Sequence, residues 1–169
     1  MKPIIRLLIL PVAISVAASL NAATVNVTSE AADELTDIRL SSTSEEKSLL
    51  IVLDQLKDSL TRSAKRYLAE DQTLDIHFTD INLAGEFEPW RTGAQYDIRW
   101  VREIYIPRLE FTFKITGADG AVVAEGSENL SDTAFMMRAS ATLDRSRATF
   151  YEGPMLNDWM RQFRKKEKS

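Results

Sequence analysis

The chain has no cysteine and only one histidine among its 169 residues. Without cysteine it cannot form a disulfide, use a thiolate nucleophile or carry a lipid at a lipobox cysteine. Ordinary zinc and copper sites need several histidine or cysteine ligands, so the lone His77 argues against them. Because His77 alternates with Ile76 and Phe78, we place it on the polar face of a strand rather than in a catalytic triad. We predict no metal site and no cofactor.

Other familiar signatures are also missing. The six glycines form neither a phosphate-binding loop nor a dinucleotide fingerprint, and there is no paired-histidine metalloprotease motif. After the N-terminus, no segment approaches the ~20 consecutive apolar residues of a membrane-spanning helix. The formal charge of −4 is a poor match to the phosphates of nucleic acids. We therefore predict no nucleic-acid partner.

Residues 1–22 have the three-part layout of a secretory signal peptide. Lys2 and Arg6 precede a short apolar run, and Leu20 and Ala22 are acceptable at positions −3 and −1 of a cleavage site. The alternative is an uncleaved N-terminal anchor, but the apolar run is too short for a membrane span. We expect a periplasmic or secreted protein of a Gram-negative bacterium, with no stable membrane span after cleavage.

Residues 23–169 are long enough to bury a core without disulfides, and we assign them to one α+β domain with a basic C-terminal tail. Without the two cations of the leader, the formal charge is −6. The tail is an exception to this acidic balance: its cations are Arg161, Arg164, Lys165, Lys166 and Lys168. They could bind a membrane face or an acidic polymer, with salt-sensitive binding lost on truncation after Gln162. We favour the alternative that they complement a helix dipole and extend into water.

Two helices are predicted from apolar residues that recur at steps of three and four. Thr43 stands three residues before Glu46, the spacing of a capping box at a helix start. The stripe that follows consists of Leu49, Val52, Leu53, Leu56, Leu60, Ala64 and Tyr67. A closing helix carries the stripe Leu156, Met160 and Phe163, with Pro154 suited to its first turn.

Four strands are predicted from alternation of apolar and polar residues. They cover residues 24–28, 74–78, 109–115 and 121–130. The alternation changes phase near Pro107, which cannot donate to a strand ladder, so we expect a bulge or break there. The order β-α-β-β-β-α predicts a two-layer α+β sandwich, in which a mostly antiparallel sheet of about four strands carries both helices on one face.

Residues 80–91 are the part of the chain most suggestive of a site, because they follow a strand end and carry three carboxylates. Glu86 and Glu88 suit an acid/base pair. With Asp80 and Asp97 they also offer oxygen ligands to calcium, although their spacing does not match the known calcium loop.

Trp90 and Arg91, at the end of the same stretch, could clamp a sugar or a peptide. A structural interpretation competes with these functional ones, and we favour it. In that interpretation Gly85 permits a sharp turn, Trp90 plugs the core, and the carboxylates cap helix ends or pair with Arg99, Arg102 or Arg108. The candidate binding residues are Asp80, Glu86, Glu88, Trp90, Arg91, Asp97, Arg99 and Arg108.

The run Asp80-Ile-Asn-Leu-Ala-Gly-Glu-Phe-Glu-Pro-Trp90 resembles a stretch of the bacterial secreted proteins catalogued as domain of unknown function 3016. Further matching elements follow in the same order: Asp97-Ile98-Arg99, Pro107-Arg108-Leu109-Glu110, Leu130-Ser131-Asp132 with Phe135, Tyr151-Glu152, Met155-Leu156 and Asp158-Trp159. The departure at Gly153-Pro154 leaves the start of the last helix open. The resemblance implies a Gram-negative cell-envelope protein and brings no assigned activity, cofactor or catalytic residue.

Two functions of different classes remain. We favour a non-enzymatic exported protein that binds or scaffolds an envelope component, either a protein or a glycan. The alternative is an envelope hydrolase that uses carboxylates of the loop at residues 80–97. That alternative predicts Glu86 or Glu88 in an open cleft, with one raised pKa and about 5–9 Å between the carboxyl groups.

Overall fold

The structure, a computed structural model, describes residues 23–138 and 145–164. The predicted signal peptide and the last residues of the basic tail, 165–169, lie outside the described residues.

A four-stranded sheet and two helices form the body of the described part. In chain order the elements are β1 (Thr24–Ser29), α1 (Glu45–Tyr67), β2 (Thr73–Asn82), β3 (Glu86–Phe87), β4 (Arg99–Trp100), β5 (Arg108–Thr116), β6 (Val122–Ser131) and α2 (Glu152–Met160). The main sheet has the order β1-β2-β5-β6, while β3 and β4 form a separate antiparallel ribbon. In the main sheet β1 and β2 are parallel and the other two pairs antiparallel. The predicted fold class and the mostly antiparallel sheet are therefore confirmed.

The start of α1 differs from the prediction by one residue. The Ser44 hydroxyl, not that of Thr43, accepts a hydrogen bond from the Lys47 N–H, at 3.4 Å. Thr43 instead donates its hydroxyl to the Ser41 carbonyl oxygen at 3.1 Å, so it is not available as a cap. The predicted capping box at Thr43 is wrong, but the apolar stripe behind it is correct, since Val52, Leu56 and other stripe residues are buried.

Both helices lie on the same face of the sheet, as predicted. The inward side chains of β2 and β5, such as Phe78 and Phe111, share one buried core with residues of α1 and α2. The ring of Trp159 in α2 packs edge-on against Phe111, with 4.9 Å between centroids. A Cβ atom at Gly153 would lie 3.1 Å from the Ser59 hydroxyl of α1, so this glycine allows the two helices to approach closely. That contact explains the glycine near the start of α2, which begins at Glu152.

The polar face of the sheet carries His77, as its alternation predicts. Its Nδ1 lies 2.9 Å from the Thr28 hydroxyl, and its Nε2 lies 3.1 Å from a carboxylate oxygen of Glu30. These contacts join β2 to β1 and to the residue that follows β1. They account for the histidine as a surface-strand residue.

The strand break expected near Pro107 is present, because β5 begins directly after it at Arg108. The shift of register in this strand pair lies in β2, between Phe78 and Asp80. It turns Asp80 away from the core, where it accepts hydrogen bonds from the Thr36 backbone N–H at 2.8 Å and the Thr36 hydroxyl at 3.0 Å. Between β2 and β5 the chain leaves the sheet for residues 83–107, which we call the excursion.

Candidate functional site

The excursion is organised around a fully buried carboxylate, Glu88. Its oxygens lie 2.5 Å from Arg91 Nε and 3.2 Å from Arg102 Nε, and they accept a hydrogen bond from the Tyr105 hydroxyl at 3.2 Å. Burial by itself raises the pKa of Glu88, but the hydrogen bonds from Arg91 and Tyr105 and the charge of Arg102 outweigh it and lower that pKa. Glu88 is therefore an ionised internal anchor, the kind of buried charge that requires such partners.

The anchor also decides which way Trp90 points. The Arg91 backbone N–H donates to the Glu88 carbonyl oxygen at 3.0 Å, closing a tight turn. This turn directs Glu88 and Arg91 inward, where the Arg91 guanidinium lies 3.8 Å from the centre of the Trp100 ring. Trp90, between them, is 69% exposed. The expectation that Trp90 plugs the core is wrong, because Glu88 and Arg91 take the inward positions of the turn.

A second cluster joins the excursion to the segment between β1 and α1. The Arg99 guanidinium donates to Asp37 at 2.6 Å, to the Arg39 carbonyl oxygen at 2.8 Å and to the Gly85 carbonyl oxygen at 2.8 Å. Its Nε is buried and has no hydrogen-bond partner within the described residues. Arg99 thus ties three separate pieces of chain together through one rigid planar group.

Asp97 makes further contacts between the excursion and the segment that joins β1 to α1. It accepts from the Ser42 backbone N–H at 2.8 Å, from the Ser42 hydroxyl at 2.9 Å and from Arg39 at 2.6 Å. The pKa of Asp97 lies below its ordinary value, chiefly because of the Ser42 hydrogen bond, with burial opposing and the charge of Arg39 assisting. The Arg39 guanidinium lies 4.1 Å from the centre of the Phe87 ring. These contacts attach the excursion to the segment between β1 and α1.

Gly85 has the role that the sequence predicts. Its φ of +89° lies in the left-handed region, which favours glycine. A Cβ atom there would lie 2.9 Å from the Trp100 carbonyl oxygen, closer than atoms of that kind approach. The turn at Gly85 therefore brings the start of the excursion against β4.

Glu152, in the first turn of α2, holds the excursion from the side of the helices. It is fully buried, and its Oε1 accepts the Ala84 backbone N–H at 2.7 Å. Its Oε2 has no hydrogen-bond partner among the described residues. Burial raises the pKa of Glu152 to about 7, although the Ala84 hydrogen bond and the charge of Arg99 oppose that rise.

The structure does not bring the eight candidate residues into one pocket. Glu88 and Arg91 form one cluster. Asp97 and Arg99 belong to a second cluster, where they pair with Arg39 and Asp37. Asp80 accepts hydrogen bonds from Thr36, and Glu86 accepts one from the Phe87 N–H at 2.9 Å. Trp90 is exposed, and so is Arg108 at the start of β5. Glu88 lacks the raised pKa that the hydrolase alternative needs of it.

Sequence reasoning did not select Asp37, Arg39 or Glu152. The first two lie in an aperiodic stretch, which offers no pattern from which to predict a contact across the fold. Glu152 had a usable signal: it precedes Leu156 and Met160 at steps of four, so an acidic residue stands on the apolar stripe of a helix.

Two surfaces of the excursion are open to a ligand. The first, which we call the apolar rim, is the set of large apolar side chains that the excursion exposes: Trp90, Tyr96, Ile98, Val101 and Ile104. The second, the arginine cleft, has a volume of about 500 Å³ and lies between the excursion and the segment before α2. Arg99, Arg145, Arg147, Val101, Phe150 and Tyr151 are among its lining residues.

Within residues 23–138 and 145–164, no three histidine, cysteine, aspartate or glutamate side chains are grouped so as to hold a metal ion. In the same part of the chain, no helix combines the length and the apolar character needed to cross a membrane.

Comparison with known proteins identifies the family. No curated protein matches the chain. A solved structure of a minor lipoprotein from Acinetobacter baumannii is 12% identical and covers 85% of this chain and 88% of its own, but a TM-score of 0.26 carries no argument about fold or function. The family model described as "Protein of unknown function (DUF3016)" matches residues 23–162, which confirms the resemblance seen in the sequence. The chain belongs to that family.

Proposed function

We propose that this is an exported, non-enzymatic binding protein of the cell envelope, periplasmic or secreted, whose apolar rim contacts a partner protein. The proposal of export depends on the leader at residues 1–22. The proposal of binding depends on one observation. Five large apolar side chains are exposed within residues 90–104, on a segment that buried ion pairs hold in place.

Large exposed apolar patches mark interaction surfaces. Five of the large apolar side chains exposed in the described part of the chain come from this one segment. Tryptophan, tyrosine and arginine are the residue types that carry most of the energy in protein interfaces. The rim offers Trp90 and Tyr96, with Ile104 72% exposed. Glu88 and Arg99 hold the backbone behind these side chains, so binding a partner costs little conformational entropy. A protein surface is therefore the partner that fits best.

The geometry supports binding over hydrolysis. A glycoside hydrolase needs a protonated carboxyl group facing the substrate and a second carboxylate within about 5–9 Å. Glu88 is instead enclosed by Arg91, Arg102 and Tyr105. Glu86 accepts a hydrogen bond from the backbone of its own strand.

The test is site-specific photocrosslinking in the native host. A photoreactive amino acid replaces Trp90 on the rim, and in a matched strain it replaces Thr112, an exposed residue on the polar face of the sheet. We expect a discrete crosslinked protein from position 90 and none from position 112. The crosslinked protein is then purified, and Trp90→Ala or Ile104→Ser should weaken its binding by about 30-fold, as for an interface hot spot. Equal products from both positions, or unchanged binding by both variants, would refute the proposal.

A further inference from the structure

The arginine cleft brings three arginines to one site on a chain whose formal charge is −4. Arg99, Arg145 and Arg147 line it, and no acidic side chain is among its described lining residues. Arg99 pairs with Asp37, and Arg147 pairs with Asp58 at 2.7 Å. Asp58 is also the partner of Arg62, so a single carboxylate serves two guanidinium groups. The charged side chains among the described residues that line the cleft are therefore arginines.

Two of these guanidinium groups are fixed before any ligand arrives. Arg147 donates to the Gln55 carbonyl oxygen at 3.0 Å as well as to Asp58, which attaches it to α1. Arg99 is held by Asp37 and by backbone carbonyl oxygens, and its buried Nε has no hydrogen-bond partner within the described chain. Arg145 is exposed at the edge of the cleft. Because the side chains of Arg99 and Arg147 are already held in place, their charges attract an anion with little further loss of side-chain entropy.

The remaining walls are apolar. Val101 comes from the excursion, while Ala148, Phe150 and Tyr151 come from the segment that leads into α2. The volume of about 500 Å³ lies within the range of small-molecule sites, which combine apolar walls with a few convergent polar groups. A ligand that fits both parts has an anionic head and an apolar body.

We propose that the arginine cleft binds a small amphiphilic anion, with a carboxylate or phosphate head on the arginines and an apolar body against Val101, Phe150 and Tyr151. This site adjoins the rim, with which it shares Val101, but its test does not depend on the partner proposed for the rim. The head group has two possible sources, a fatty carboxylate or a phosphate ester, and both are monovalent or divalent anions that guanidinium groups recognise.

The test is calorimetric titration of the purified protein at low ionic strength with dodecanoate, dodecyl phosphate and the neutral dodecyl maltoside, each below its micelle concentration. We expect binding of one or both anions and at least tenfold weaker binding of the maltoside. Binding of dodecanoate alone assigns a carboxylate head, and binding of dodecyl phosphate alone assigns a phosphate head. Failure of both anions to bind, or equal binding of the neutral amphiphile, would overturn the proposal.

Two variants separate the cleft from general surface charge. Arg145→Gln should weaken anion binding at least tenfold, whereas Arg66→Gln, an exposed arginine of α1, should change it less than twofold. Ala148→Trp fills the cleft and should abolish binding. If Ala148→Trp does not fold, the comparison of Arg145→Gln with Arg66→Gln decides alone. Equal affinities in those two variants would contradict the assignment of the anion to this cleft.

Discussion

Replacement of Glu152 by glutamine should change how the stability of the protein depends on pH. Glu152 is fully buried, and its pKa is raised from 4.5 to about 7. In the unfolded chain the carboxyl group loses its proton near its ordinary pKa, whereas in the folded protein it keeps the proton up to about pH 7. Between these values the folded state holds more protons than the unfolded state, so stability falls as the pH rises.

The size of this effect follows from the two pKa values. The difference between 4.5 and about 7 corresponds to about 3 kcal/mol, at roughly 1.4 kcal/mol for each pH unit. Most of that change lies between pH 5 and pH 8, where we expect a loss of about 2–3 kcal/mol. Glutamine stays neutral at every pH, and its amide oxygen can still accept the Ala84 N–H. Glu152→Gln should therefore gain stability relative to the wild type as the pH rises.

The assay is urea unfolding of both proteins at pH 5, 6, 7 and 8. With an unfolding slope of about 1–3 kcal/mol per molar urea, the difference between their midpoints should change by about 1 M or more between pH 5 and pH 8. The matched control is Glu103→Gln, an exposed carboxyl group on the same excursion, which should follow the wild-type profile. A difference between wild type and Glu152→Gln that stays constant from pH 5 to pH 8 would refute the reasoning.

Three further predictions test the turn, the core and export. Gly85→Ala should lower the free energy of unfolding by about 1–3 kcal/mol, measured by thermal unfolding, because residue 85 has a φ of +89° and lies against the Trp100 carbonyl oxygen. Gly120→Ala is the control: its φ is also positive, but a Cβ atom there meets open space, so the loss should be smaller. Trp159→Ala should lower the free energy of unfolding in urea by about 3–5 kcal/mol, because the ring packs against Phe111, Phe113 and Phe163. Leu50→Ala, at an exposed position of α1, should change it by under about 0.5 kcal/mol. N-terminal sequencing of the protein from the native host should begin at Ala23, and a full-length chain in the cytosolic fraction would contradict export.

Repeating patterns in the sequence predicted the body of the fold. The apolar stripe of α1 and the alternation in β2 and β5 arise because each element buries one face, whatever it packs against. The parallel pairing of β1 with β2 was not predicted, because alternation identifies a strand without giving its direction. The cap of α1 differs by one residue because Thr43 and Ser44 are both good caps, and backbone geometry selects between them.

The site was predicted less well, because its contacts join residues far apart in the chain. Arg99 was a candidate, but its partner Asp37 lies 62 positions earlier in a stretch without a period. Glu88 was predicted to pair with arginines, and it does, although Arg91 is a closer partner than those proposed. Whether Glu88 or Trp90 points inward depends on the turn between Glu88 and Arg91, a local geometry that residue types alone do not specify.

In the function proposed above, the ion pairs of Glu88 hold the rim in the form that binds its partner. The direct measurement is the crosslink yield from position 90 in a Glu88→Gln background, together with hydrogen exchange of residues 83–107. Loss of the charge should weaken the contacts with Arg91 and Arg102. We expect faster exchange in the excursion, unchanged exchange in the buried core of the sheet, and loss of the crosslink, although the rim has the same residues as in the strain with Glu88. Faster exchange with an undiminished crosslink would contradict the claim.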